Sequence, residues 1–82
     1  MHYKEMRQFS RAVAAVKRIA ARRGYHGSIH AASRVETLRR QLDALDIFLD
    51  ARKAEPTVPD EWLWELALSV VTSSEQGRND VD

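Results

Sequence analysis

The longest mostly apolar stretch of the chain lies within positions 59–74. Trp62, Leu63, Trp64, Leu66, Ala67, Leu68, Val70 and Val71 are interrupted by Glu61, Glu65, Ser69, Thr72 and Ser73. Wound as a helix, these apolar positions fill an arc of roughly 240°, about twice the stripe that one packed face requires. The spacing predicts a helix over 59–74. Thr57 is placed to cap it, and Pro59 falls in its first turn, where a missing N–H costs nothing. Asp60 and Glu61 then set negative charge at its positive end. Gln76-Gly77 reads as its stop, leaving 76–82 as a flexible tail.

Two further helices precede it. Over 4–23, Met6, Phe9, Val13, Val16 and Ala20 recur at alternating spacings of three and four, with Ala12 and Ile19 widening one edge. Arg22 and Arg23 suit the negative end of that helix, and Gly24 suits the left-handed residue that closes it. After a turn through Tyr25, His26, Gly27 and Ser28, the second helix starts at Ser28 or at Ser33. Ser33 opens a capping box completed by Glu36, which favours a helix over 33–54. Its seam reads Val35, Leu38, Leu42, Leu45 and Leu49, continued by the aliphatic stem of Arg52. Phe48 widens one edge of that seam, Ile47 points elsewhere, and Pro56 ends the helix. The expected fold is all-α: a small three-helix bundle of antiparallel helices with short connections, forming one domain over 1–75.

Size sharpens what this pattern implies. A chain of 82 residues buries only about 60% of the surface its unfolded form exposes, so its core is small. It has no cysteine, which removes disulfides and thiolate metal sites as reinforcements and leaves oligomerisation. Two narrow seams cannot cover a 240° arc. Trp64, Leu68 and Val71 are therefore expected to form a protein interface, with Ile47 and Phe48 as supplementary contacts. The sequence has no secretory leader and no run of about eighteen apolar residues, which predicts a cytoplasmic protein without a membrane span.

Charge adds a rival. Residues 1–40 carry ten basic side chains against Glu5 and Glu36, whereas residues 41–82 carry ten acids against three basic side chains. Lys4, Arg7, Arg11, Arg18 and Arg22 form one stripe opposite the apolar seam of the first helix, a candidate nucleic-acid contact. The two halves can equally neutralise each other within the fold. No recognition helix with base-reading Asn, Gln and Arg is evident, and the 24–32 connection is long for a helix-turn-helix.

Candidates for other chemistry are few. His26 and His30 are four apart, the spacing of a helical metal pair, but they straddle Gly27-Ser28, where a helix is least favoured. Neither a nucleophilic triad nor a glycine-rich phosphate loop is recognisable. No catalytic residue, metal, cofactor or small-molecule substrate is expected. The expected function is a non-enzymatic helical interaction module (an adaptor, inhibitor or small regulator) that self-associates as a homodimer through helix 3 or binds a protein partner. The alternative is nucleic-acid binding through the basic face of helix 1.

Overall fold

The computed structural model describes residues 3–29 and 38–80, with side chains over 5–29 and 38–74. The described residues form three helices: α1 (Tyr3–Arg22), α2 (Leu38–Ala54) and α3 (Asp60–Asp80). Every helix packs against the other two, giving a small all-α three-helix bundle with no strand among the described residues. α1 and α3 run in the same direction and α2 runs against both. Phe9 meets Trp62 at one end of the bundle, and Gly27 meets Ser74 at the other. The Ser33 start of helix 2, and Val35 with it, lie outside the described residues.

The helix ends follow from backbone chemistry. At the end of α1 the Gly24 N–H donates to the Ala21 carbonyl and the Tyr25 N–H to the Ala20 carbonyl. Gly24 takes a φ of 89°, the left-handed geometry that this closure requires and that a side chain would resist. At the start of α3 the structure corrects the expected cap. The Trp62 and Leu63 N–H groups donate to the Pro59 carbonyl, so the helix begins at Asp60. The Thr57 carbonyl instead accepts from Gln8 Nε2 at 2.6 Å, tying this turn to α1. Val58, between the two, is buried and plugs that end of the core. The far end of α3 is also corrected. The helix runs through Gly77 to Asp80 rather than stopping at Gln76-Gly77. A glycine costs a helix about 1 kcal/mol but does not forbid it, and each further residue adds a backbone hydrogen bond.

The core is built from Val16, Ile19 and three alanines of α1, from Ala44, Ile47 and Ala51 of α2, and from Leu63, Leu66, Ala67, Val70 and Val71 of α3. Alanines on α1 and α2 let their backbones approach the bulkier α3. On α1 the buried stripe is Ala12, Ala15, Val16, Ile19 and Ala20, displaced from the expected seam so that Met6 is exposed. Phe9, also largely exposed, stacks edge-on against Trp62 with ring centroids 5.6 Å apart.

On α2 the displacement is complete. Leu38, Leu42, Leu45 and Leu49, the expected seam, all face outward, and Ile47, expected to point elsewhere, is fully buried. The leucines and the buried trio lie roughly 150° apart on the helix circumference.

α3 is sheathed on both flanks, and its inner surface includes hydroxyls. Thr72 is buried, and its Oγ1 has no hydrogen-bond partner among the described residues. A buried hydroxyl left unpaired costs about 1–3 kcal/mol. Thr72→Val, which keeps the shape and removes that penalty, should raise the free energy of unfolding by about 1 kcal/mol in urea titrations. An unchanged or lower midpoint would mean that the hydroxyl is satisfied.

Candidate interaction surface

The residues expected to form the interface do not share a surface. Ile47 and Val71 are fully buried, and Trp64, Leu68 and Phe48 are half-buried against the core. Trp64 meets Phe48 edge-on at 5.7 Å between ring centroids, and the Arg52 guanidinium stands 6.0 Å from the Phe48 ring centre. This corrects the premise that α3 carries uncovered apolar surface. α1 and α2 reach further around α3 than two narrow seams would, because α2 applies Ala44, Ile47, Phe48 and Ala51 to it rather than its leucines.

The unsatisfied apolar surface is on α2 instead. Leu38 is 70% exposed, Leu42 57%, Leu45 41% and Leu49 46%. Their 4-3-4 spacing aligns them in one straight stripe along the outer face, the seam geometry of paired helices. Fully covering a leucine contributes about 1.5–3 kcal/mol, so four partly exposed leucines on one line form a large unspent contact. Isolated exposed leucines are ordinary; a contiguous row on a monomer is not.

Beside the buried face of α2 lies a polar clasp that fits the same rotation. Arg23 donates from Nε to Asp46 and from its terminal nitrogen to Asp50, and the Tyr25 hydroxyl donates to Asp43. Asp43, Asp46 and Asp50 form one ridge between the leucine stripe and the buried trio. This ridge engages the residues that follow α1, a contact compatible with the leucines facing away from the core. Hydrogen bonding to Arg23 holds the Asp50 carboxyl below its usual value of 3.8, and the same bond raises Arg23. A carboxyl lowered in the folded state lends stability above its ordinary pKa and loses it as pH falls through the folded value. Asp50→Asn should therefore lower stability at pH 6 and cost less at pH 2, because the parent protein loses this contribution as its own carboxyl takes up a proton. Urea midpoints at the two pH values provide the measurement, and an equal loss at both would exclude the ion pair as its cause.

The basic stripe of α1 is divided. Arg11 pairs with Glu55 at 3.3 Å, and Arg7 is exposed but engaged in an interaction of its own. The side chain of Lys4 lies outside those described. Arg18 and Arg22 instead line a cleft of about 600 Å³ between α1 and α2, with Arg23, Asp50 and Lys53 around it and Ile19 and Ala54 as apolar lining. His26 is exposed, His30 lies outside the described residues, and no three His, Cys, Asp or Glu side chains converge among the described residues.

No family model, curated protein or solved structure matches this chain. No helix among the described residues is long and apolar enough to cross a membrane.

The leucine stripe was visible as a periodicity, but its regularity pointed to the core. The signal that could have placed it outside was the second stripe of Ala44, Ile47, Phe48 and Ala51 on the opposite side of the same helix. A helix with two apolar faces in a three-helix bundle must leave one of them uncovered.

Proposed function

We propose that the chain is a non-enzymatic interaction module that makes its protein contact through α2, by laying another apolar helix along Leu38, Leu42, Leu45 and Leu49. The observation that carries this reading is the outward row of four leucines on a helix already anchored to the core by its other face. Contact through such a row needs no refolding, since the stripe already faces outward, with Arg23 clasping Asp46 and Asp50 beside it.

The test is Leu42→Glu with Leu45→Glu in one chain. Both sites are solvent-facing, so in dilute solution the double variant should keep its helical circular dichroism and melt within a few degrees of the parent. It should also lose most of the fluorescence of a bound apolar dye such as anilinonaphthalene sulfonate. Unfolding of the variant would instead make the stripe part of the monomer's own core and end this reading.

A second reading, nucleic-acid binding, is supported by the cleft in which Arg18 and Arg22 stand with Lys53. Arg18→Glu with Arg22→Glu should then abolish retention of nucleic acid in a low-salt gel shift. With three cations engaged, the logarithm of the binding constant should fall with that of the salt concentration at a slope of about −3. Absence of any shift by the parent chain would dismiss this reading.

A further inference from the structure

We infer that the occupant of the α2 stripe is a second copy of this chain, laid antiparallel across a two-fold axis that passes between Leu42 and Leu45. The inference rests on the reading that α2 is the contact face, and it adds the partner and its direction.

The stripe is self-complementary. Leu42 and Leu45 are centred in it, with Leu38 and Leu49 outside them. When one copy is turned end over end, Leu42 lies against the partner's Leu45, and Leu38 against the partner's Leu49. Four leucines from each copy then interlock as knobs and holes, and the isologous contact repeats every interaction twice.

The charges beside the stripe choose the direction. On one edge lie Arg39, Asp46 and Lys53, and on the other Gln41 and Phe48. In the antiparallel arrangement Arg39 faces the partner's Asp46, and Asp46 faces the partner's Arg39. Arg39 is exposed and has no ion pair among the described residues. Asp46 uses Oδ2 for Arg23 and still has a 61% exposed side chain, leaving its second oxygen open to an incoming guanidinium. Parallel packing forfeits this match. It would set Gln41 beside the partner's Asp46 and Phe48 beside the partner's Lys53, and it would stack Arg52, the next stripe position, against its own counterpart. Like charges at facing seam positions oppose pairing, so the antiparallel register is selected. The opposite side of α2 stays engaged with α1 and α3, and the dimer consists of two intact bundles placed back to back.

The chain contains no cysteine, so introduced thiols report direction without interference. Sedimentation equilibrium of the full chain across micromolar to millimolar concentration should show a monomer–dimer equilibrium, abolished by Leu42→Glu with Leu45→Glu. Arg39→Asp should weaken the dimer roughly fivefold, since it sets two like-charge pairs across the contact. Circular dichroism checks that each variant remains folded. A chain carrying Leu38→Cys mixed with one carrying Leu49→Cys should cross-link on mild oxidation, while neither should cross-link with itself.

Self-linking of the Leu49→Cys chain would overturn the antiparallel direction. A dimer that survives the double glutamate change would overturn the face. A parent chain that stays monomeric at millimolar concentration would overturn self-association. In that last case, a folded glutamate variant with reduced dye binding would still uphold α2 as the contact face for a different protein, so the two failures are separable.

Discussion

Ile47→Ala should remove about 2–5 kcal/mol of stability, the range for deleting a large aliphatic side chain from a well-packed core. Ile47 is fully buried between Ala44 and Ala51 on the face of α2 that meets the rest of the bundle. Domains of this length are stable by only several kcal/mol, so the variant should be partly unfolded at 25 °C. Leu45→Ala, two residues away on the exposed stripe, should change the stability of the dilute monomer by less than about 1 kcal/mol. Urea denaturation followed by circular dichroism at low protein concentration separates the two. The reverse ranking would mean that α2 packs by its leucines and turns Ile47 outward.

Gly27→Ala is the second change with a large expected effect. Its cause is close approach, since φ at Gly27 is not in the left-handed region. A Cβ at this position would lie 2.5 Å from the Ser74 backbone nitrogen and 2.7 Å from Ser73 Cβ, distances that side chains do not tolerate. The Gly27 N–H also donates to Ser74 Oγ at 2.6 Å, so relieving the clash by moving the segment would strain that bond. Backbone atoms of α3 cannot swing aside as a flexible side chain can. Overpacking of this kind costs about 1–3 kcal/mol. The expected result is a fall in urea midpoint without a change in slope, because the same surface is still exposed on unfolding. Ser74→Ala, which removes only the hydrogen bond, should cost less, about 1 kcal/mol. Equal losses would assign the effect to the hydrogen bond rather than to the contact distance.

These two residues also show where the sequence was legible. Gly24 and Gly27 both stood out as breaks, yet only Gly24 was needed for a reason that local pattern can express, the closing of α1 after Arg22. Gly27 was needed because Ser73 and Ser74, nearly fifty residues later, press against it. Val58 was likewise unreadable: one apolar residue in a proline turn has no period, and its burial depends on how Thr57 is held by Gln8.

The site shows the same division. The leucine row of α2 was plain in the residue spacing, and so were the acids Asp43, Asp46 and Asp50. The assignment of the row to the core and of Ile47 to the outside was inverted, because hydrophobic period reports that a face is apolar and not what covers it. For α3 the breadth of the apolar arc was read correctly from Trp62 to Val71. The inference that it must be left uncovered failed, because alanines at 12, 15, 20, 44 and 51 bring the neighbouring helices close enough to wrap it.

The sequence alone determined that there are three helices, that α1 closes at Gly24, and that more apolar surface exists than one small core needs. These depend on neighbours within a turn or two, where backbone hydrogen bonding and side-chain period act. Which face of α2 turns inward was decided only by the tertiary structure. Two apolar stripes competed for one core, and the choice went to the one whose small residues fit α3 and whose flanking acids reach Arg23 and Tyr25, contacts between segments that the chain keeps some twenty residues apart.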